Sequence, residues 1–285
     1  MPIDPAKVIG AELAGGPATW DPDDVILYHL GVGAGVPPTD ANELAYTYES
    51  RLKVLPSFGV LSVFGTIGGM VLLDGVSVNP MMILHGEQGI TIHKPLPAQA
   101  KVMNTGRVTN VFDKGKGALI VTETETRDET GDLLCTNRFA VFARGEGGFG
   151  GDSGPAPGNV APDREPDLVV ESPTLPQQAV LYRLSGDRNP LHIDPDMAAL
   201  GGFDRPILHG LCSYGIVCKA VVDHALGGDV TQVASYDARF TGVVFPGETI
   251  VTSMWRDGDA ITVAAHCKER QTPVISNAAV RVKEA

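Results

Sequence analysis

Residues 182–215 read YRLSGDRNPLHIDPDMAALGGFDRPILHGLCSYG, and the organisation of the chain is best understood from this stretch outward. Within six residues it places a carboxylate, an amide and an imidazole, on Asp187, Asn189 and His192. A glycine-marked helix start follows at His209-Gly210. No other stretch combines as many acid/base side chains with as many turn residues. We therefore expect the functional site to lie here, next to the start of the main helix.

The helix predicted after His209-Gly210 has a long apolar face. Its apolar residues recur at alternating spacings of four and three, which is the period of one side of an α-helix. They are Ile207, Leu211, Tyr214, Cys218, Val221 and Ala225. A long buried helix followed by antiparallel strands predicts an α+β fold.

The strand pattern occurs twice in the chain. Apolar and polar residues alternate from residue 90 to 144, with turn signals at 113–117 and 128–132, which predicts an antiparallel meander. Residues 243–282 have the same layout of strands and turns. Between the two halves, residues 145–167 are rich in glycine, proline and acids, as linkers are. The repetition predicts a duplicated fold.

The overall composition limits the partners of the protein. The chain has 285 residues, of which 43% are hydrophobic and 20% charged, and its formal net charge is −12. This is the composition of a globular protein with a large core. Nucleic acid and anionic membranes attract clustered lysine and arginine, so the acidic balance argues against both as partners.

Three further features predict a cytoplasmic protein without a membrane span. Val54–Leu73 carries no charge but is rich in glycine, which favours a buried helix or a loop and helix over a transmembrane segment. The N-terminus lacks the pattern of a secretory signal. The four cysteines form no CxxC pair and are typical of a reduced protein; they are Cys135, Cys212, Cys218 and Cys267.

A glycine cluster, GVGAG at Gly31–Gly35, is the nearest approach to a nucleotide-binding motif. A dinucleotide fingerprint follows a strand and opens a helix. Here a helical pattern, predicted to start at Thr19 or Asp21, comes first, and Pro37-Pro38 follow. The cluster therefore predicts a helix terminus and loop, and the sequence suggests no dinucleotide cofactor.

The residue types in the central stretch favour proton transfer. A carboxylate and an imidazole held side by side form an acid/base pair, and Asp187 and His192 stand one short turn apart. The alternative is structural, with Asp187 capping a turn and His192 filling the core. The start of the predicted helix favours chemistry, because the unpaired N–H groups around Gly210 can bind an oxyanion.

The stretch YRLSGDRNPLHIDPDMAALGGFDRPILHG resembles the signature of the R-specific 2-enoyl-CoA hydratases, the MaoC-like or hydratase 2 family. The resemblance extends to TDANELAYTYE, LKVLPSF and ILHGEQG in the first half and covers nearly the whole chain. It is closest to the hydratase part of the peroxisomal multifunctional enzyme type 2. It implies a double hot-dog fold, in which each repeat is an antiparallel sheet wrapped around a long central helix.

The resemblance also implies a division of labour between the repeats. Residues 1–150 would form a non-catalytic repeat that binds acyl-CoA, 151–167 a linker, and 168–285 the repeat with the hydratase motif. The implied catalytic residues are Asp187, His192, Asn189 and Gly210. The implied substrate-binding residues are His85, Gly86, Lys114, Arg188, Pro190, Leu191 and Phe240.

The activity implied by the resemblance is hydration of a trans-2-enoyl-CoA to a (3R)-3-hydroxyacyl-CoA, as in β-oxidation of fatty acids or other acyl groups, a steroid side chain among them. CoA counts here as part of the substrate, and no metal or other cofactor is expected. A homodimer is expected by analogy. Two alternatives remain at this point: an acyl-CoA thioesterase of the hot-dog fold and a non-catalytic acyl-CoA-binding subunit.

Overall fold

The protein is built on one antiparallel sheet. The computed structural model describes residues 3–79 and 82–283, and within them the strands form a ten-stranded sheet. The strands are β1 (Glu12–Trp20), β2 (Ile83–Ile92), β3 (Ala100–Asp113), β4 (Gly117–Asp128), β5 (Leu133–Arg144), β6 (Leu168–Pro173), β7 (Val233–Phe240), β8 (Thr249–Asp257), β9 (Ala260–Cys267) and β10 (Thr272–Val282).

The order of the strands shows the duplication directly. It runs β1-β3-β4-β5-β2-β7-β10-β9-β8-β6, so the five strands of one half mirror those of the other across the β2–β7 pair. That pair runs from Glu87↔Arg239 to Thr91↔Ser235. The duplication predicted from the repeated meander and the double hot-dog fold implied by the resemblance are both confirmed, and the two repeats share a single sheet.

The α-helices precede or connect the strands along the chain. They are α1 (Pro5–Val8), α2 (Pro22–Gly31), α3 (Ala41–Thr47), α4 (Phe64–Gly68), α5 (Gln178–Tyr182), α6 (Pro195–Leu200) and α7 (Gly210–Ala225). Short 3-10 helices span Glu49–Arg51, Pro56–Val60, Gly69–Leu72, Arg183–Ser185, Pro190–His192 and Val230–Gln232. Helix α2 begins at a capping box on Asp21, one of the two predicted starts.

Helix α7 is the central helix of the second repeat. Most of its 16 residues are buried, because the sheet covers one side and the first repeat covers another. Where it crosses α2, a Cβ added to Gly215 would lie 2.6 Å from the hydroxyl of Tyr28 and 2.6 Å from Val32. The absence of a side chain at Gly215 therefore lets the two helices meet.

The first repeat departs from the prediction of a long central helix in each half. Its corresponding segment is broken into the 3-10 helix Pro56–Val60, the five-residue α4 and the 3-10 helix Gly69–Leu72. Glycine lowers helix stability and proline cannot continue a helix, and Pro56–Gly69 contains both. Among the described residues, no helix is long and apolar enough to cross a membrane.

The two edge strands were not predicted from the sequence. Among residues 3–79 and 82–283, β1 pairs with β3 alone and β6 with β8 alone. Edge strands tolerate proline and glycine, and the β1 sequence ELAGGPATW lacks a clean alternation. The run Ala179–Leu184, which the sequence left open between strand and helix, is helical.

The segment that follows β5 is attached to the β3–β4 turn. Residues 145–167 contain no regular element. The Asp113 carboxylate accepts hydrogen bonds from the N–H groups of Gly148 (2.8 Å) and Gly150 (2.7 Å). The start of the segment is thereby held against the first repeat. The domain boundaries given above stay a prediction.

Candidate active site

The central stretch folds as a chain of local caps. Gly186 has φ +128°, a conformation that glycine adopts without strain. The Asp187 carboxylate then accepts the Asn189 N–H at 3.1 Å, and the Asn189 side chain accepts the Leu191 N–H at 3.1 Å. Pro190 opens the single 3-10 turn that ends at His192. These caps turn His192 into the protein while Asp187 stays half-buried.

His192 is held in one tautomer. Its Nδ1 lies 2.9 Å from the carbonyl oxygen of Ile207. A carbonyl only accepts hydrogen bonds, so Nδ1 carries the proton and Nε2 keeps a lone pair. Burial lowers the pKa of His192, while the Ile207 carbonyl and the Asp187 charge oppose the shift. The ring is therefore neutral near pH 7 and suited to accept a proton at Nε2.

A second histidine lies against the first. The rings of His192 and His209 have centroids 3.8 Å apart. His209 is fully buried, and its Nε2 donates to the carbonyl oxygen of Asp187 at 3.1 Å. Burial and the neighbouring His192 lower its pKa to about 3. In the sequence His209 was considered only as part of a helix start. Its imidazole, next to Gly210, was the feature that could have identified it as a site residue.

Gly210 is the first residue of α7. No described residue accepts a hydrogen bond from its N–H group, as expected for the first turn of a helix. A Cβ added to Gly210 would lie 3.5 Å from the ring of Phe240. The 16-residue helix adds the positive end of its dipole at this point, so the Gly210 N–H is suited to a developing negative charge.

The first repeat reaches the same place through His85. Its ring stacks on Phe139 at 3.7 Å and lies 4.7 Å from Phe240. Burial lowers the pKa of His85 to about 3, so the ring is neutral near pH 7. Gly86 sits at a bulge where the β2–β5 register shifts. The ring of Phe240 thus joins His85 of the first repeat to Gly210 of the second. An added Cβ at Gly86 would instead meet Ala140, Leu119 and Phe142.

The remaining predicted binding residues are Lys114, Arg188, Pro190 and Leu191, and their side chains make other contacts. Lys114 donates to the carbonyl oxygen of Ser153, and its Nζ lies 5.6 Å from the ring centroid of Phe112. Arg188 and Pro190 are exposed. Leu191 is half-buried beside Gly201. The contacts of these four side chains do not include Asp187, His192 or His209.

A cavity of about 260 Å³ adjoins the start of the catalytic stretch. Ser185 and Gly186 form one wall. The other walls come from both repeats and mix apolar with polar side chains; they are Ala18, Thr19, Trp20, Asp24, Leu27, Phe58, Leu61, Ser62 and Leu184. The cavity is therefore of mixed polarity, is bounded largely by the first repeat and reaches Gly186, the residue before Asp187.

Both halves of the chain match known family descriptions. Residues 19–145 match the MFE-2 hydratase 2 N-terminal domain, and residues 158–278 match the MaoC like domain. The chain is 46% identical over 277 residues to "Enoyl-CoA hydratase ChsH3" of Mycobacterium tuberculosis, covering 96% of this chain and 97% of that protein.

The chain belongs to the MaoC-like hydratase 2 family.

Other relatives agree with this membership. This hydratase 2 family member is 42% identical to "Enoyl-CoA hydratase 2, peroxisomal" of Arabidopsis thaliana, with 90% of this chain and 89% of that protein covered. A MaoC-like dehydratase from Phytophthora capsici superposes with a TM-score of 0.89 at 34% identity, covering 99% of this chain and 98% of that one. The resemblance read from residues 182–215 is confirmed.

Proposed function

We propose that the protein hydrates trans-2-enoyl-CoA thioesters to (3R)-3-hydroxyacyl-CoA in β-oxidation. One observation carries this proposal: the side chains of Asp187 and His192 converge beside the free N–H of Gly210. Water addition to an enoyl thioester needs both parts, a proton-transfer pair and a donor for the carbonyl oxygen. The names of the relatives from Mycobacterium tuberculosis and Arabidopsis thaliana support the same activity.

In the proposed mechanism the Gly210 N–H donates to the thioester oxygen, which makes the β-carbon electrophilic. Asp187 and His192 hold one water between them. The water oxygen bonds to the β-carbon, its proton passes to the pair, and the pair delivers a proton to the α-carbon on the same face. Nothing is oxidised or reduced in this addition, so the proposed reaction requires no redox cofactor. Asp187 and His192 carry both the proton taken from water and the proton given to the α-carbon.

Asn189 has a supporting role in this proposal. Its N–H fixes the Asp187 carboxylate and its side chain caps the turn that carries His192. Loss of either contact would move one member of the pair relative to the other. Asn189 is therefore a positioning residue, and its own side chain does not need to touch the substrate.

The remaining predicted contacts are proposed to bind the acyl-CoA. His85 and Phe240 lie beside Gly210, where the thioester is proposed to bind, and Gly86 is proposed to contact the substrate through its backbone. Arg188 and Lys114 carry the charge to meet CoA phosphates, while Pro190 and Leu191 form the rim. The acyl chain is proposed to enter the cavity of about 260 Å³ beyond Gly186, along its apolar residues Trp20, Leu27 and Phe58.

The glycine-rich segment of the first repeat differs from glycine to glycine in the space it leaves. At Gly65 and Gly68 an added Cβ would meet nothing within 4 Å. A Cβ at Gly59 would lie 2.8 Å from Ile90 and 3.2 Å from Cys135, so this glycine permits close packing and leaves no open space. Chain-length preference is measured with enoyl-CoA substrates of increasing length, including a branched and a steroid side-chain substrate.

The decisive test is enoyl-CoA hydration by purified Asp187→Asn and His192→Gln variants. General acid/base groups contribute roughly 10²- to 10⁴-fold to rate, so we expect kcat to fall by about that range in each. The loss of enoyl absorbance and the stereochemistry of the product are measured. The exposed His93 offers a matched control, and His93→Gln should keep wild-type turnover.

Two outcomes would contradict the proposed reaction. Release of free CoA thiol without loss of the double bond would indicate a thioesterase. Tight binding of enoyl-CoA without any turnover would indicate a non-catalytic binding subunit.

A homodimer and a cytoplasmic location complete the proposal. The dimer rests on analogy, and light scattering after size-exclusion chromatography tests it. Some relatives carry the word peroxisomal in their names. Fractionation of the source cells with an antibody to the protein tests the location.

A further inference from the structure

We propose that Asp187, His192 and His209 form a zinc-binding site, and that a zinc ion bound there blocks the reaction. The binding of zinc rests on geometry alone. The inhibition rests on the function proposed above, because it requires Asp187 and His192 to be the proton-transfer pair.

The three side chains already converge. One ligand atom from each lies within 4.8 Å of the other two. Zinc accepts imidazole nitrogen at about 2.0–2.1 Å and carboxylate oxygen at about 2.0–2.2 Å, usually in a tetrahedron. Two such atoms on one ion stand about 3.4 Å apart, so atoms within 4.8 Å of one another need to close by at most about 1.4 Å. Two histidines and one carboxylate are a common ligand set for a zinc ion that keeps an open position.

Each imidazole has the second contact typical of a metal ligand. Metal-binding histidines usually donate their other ring N–H to a carbonyl or carboxylate, which orients the ring. His192 donates through Nδ1 to the Ile207 carbonyl, and His209 donates through Nε2 to the Asp187 carbonyl. In each neutral ring this leaves one nitrogen with a free lone pair, which is the form that binds a metal.

The free nitrogen of His209 is the strongest single indication. His209 is fully buried, and its Nδ1 has no hydrogen-bond partner among the described residues. A buried polar atom without a partner is unfavourable by about 1–3 kcal/mol. In proteins such atoms are uncommon. A zinc ion at this nitrogen would satisfy it directly.

The site is open on one side. Asp187 is half-buried and the neighbouring Arg188 and Asn189 are exposed, so an ion can enter along the same face as the substrate. Coordination would occupy the lone pair of His192 and an oxygen of Asp187. Both are needed to hold the attacking water, so zinc and turnover exclude each other.

The test is a direct titration of the full-length protein, without an affinity tag, with zinc chloride in competition with a chromophoric chelator. We expect one zinc ion per chain. Asp187→Asn and His209→Gln should each weaken zinc binding at least about tenfold, the scale of affinity lost when a metal site is disturbed. His93→Gln, at an exposed histidine, is the matched control and should bind zinc like the wild type.

Circular dichroism and thermal melting establish that each variant is folded. Asp187→Asn lies on a surface loop and keeps the hydrogen bond to Asn189, so it remains decisive if His209→Gln is unstable. Absence of zinc binding to the wild type overturns the proposal. So does wild-type affinity in Asp187→Asn, or loss of binding in the control alone.

A parallel hydration assay separates this proposal from the proposed function. We expect zinc to abolish turnover and a chelator to restore it. A wild type that binds zinc at these residues but never hydrates enoyl-CoA contradicts the function and leaves the site intact. A wild type that is active and unaffected by saturating zinc contradicts the site and leaves the function intact.

Discussion

At the scale of single residues, buried histidines differ in what their nitrogens meet. His29 has both nitrogens satisfied, Nδ1 by the carbonyl of Tyr46 at 2.8 Å and Nε2 by the N–H of Leu55 at 3.2 Å. His209 has one nitrogen without a partner. His29 is thus a structural core residue, and His209 belongs to the candidate site. Residue type and burial alone do not distinguish a structural histidine such as His29 from a site histidine such as His209.

Both histidines make stability depend on pH. Burial lowers the pKa to about 4 in His29 and to about 3 in His209, whereas an unfolded histidine titrates near 6.5. The unfolded chain therefore binds protons first as pH falls. Stability is fully present above about pH 6.5 and is lost progressively below it.

We expect the free energy of unfolding to drop between pH 7.5 and pH 5 by on the order of 1–2 kcal/mol per histidine. Urea unfolding at the two pH values measures it. His29→Gln removes one titrating group and should show a smaller drop, whatever its stability at pH 7.5. A drop of the same size in His29→Gln would show that other groups are responsible.

At the scale of elements, the junction of the repeats depends on one carboxylate. Glu87 on β2 accepts hydrogen bonds from Arg138 on β5 at 2.9 Å and from Arg239 on β7 at 2.5 Å. Its side chain is 17% exposed. The two arginines hold the pKa of Glu87 below its usual value despite partial burial, so the carboxylate is ionised near pH 7.

Glu87→Ala should lower the free energy of unfolding by about 1–3 kcal/mol, because it leaves two arginines without their shared partner. Glu123 offers a matched control, since its pair with Arg107 has side chains 39% and 64% exposed. Glu123→Ala should cost less than about 1 kcal/mol. Chemical denaturation compares the two, and equal losses would contradict a special role for Glu87.

The crossing of α2 and α7 supports a second prediction at this scale. Alanine at 215 would bring a Cβ to 2.6 Å from two side chains, so Gly215→Ala should destabilise the protein by about 1–3 kcal/mol. At Gly68, in α4, an added Cβ meets nothing within 4 Å, and Gly68→Ala should stabilise by up to about 1 kcal/mol. Thermal melting measures both, and a stabilised Gly215→Ala would contradict the close contact.

At the scale of the whole molecule, the site depends on both repeats. The proposed proton-transfer pair and Gly210 come from the second repeat, while His85 comes from the first and packs on Phe240. The pairing of β2 with β7 sets this contact. Without the first repeat, β7 would present an unpaired edge, and such edges promote association with other chains.

Residues 151–285 alone should therefore show little or no enoyl-CoA hydration, although Asp187, His192 and Gly210 are all present. The isolated half should also aggregate, because one side of α7 and the β7 edge lose their cover. Turnover and size-exclusion behaviour are compared with the full chain. A monomeric half with wild-type turnover would show that the first repeat is dispensable.

The sequence by itself determined the features that are local in the chain. The alternation of the strands, the period of α7 and the caps of residues 187–192 depend on near neighbours, so they could be read directly. The repeated spacing of strands and turns was enough to predict a duplicated fold, and the resemblance of residues 182–215 to a known family supplied the double hot-dog fold. The acid/base pair was visible because Asp187 and His192 lie within one turn.

Only the tertiary structure decided which distant groups meet. His85 and Phe240 come together because β2 pairs with β7, and His209 meets His192 because α7 starts beneath the loop. The broken central segment of the first repeat and its edge strands also depend on packing. Contacts across the sheet reflect the packing of the whole core, and that packing places a third side chain of residues 182–215, His209, against His192.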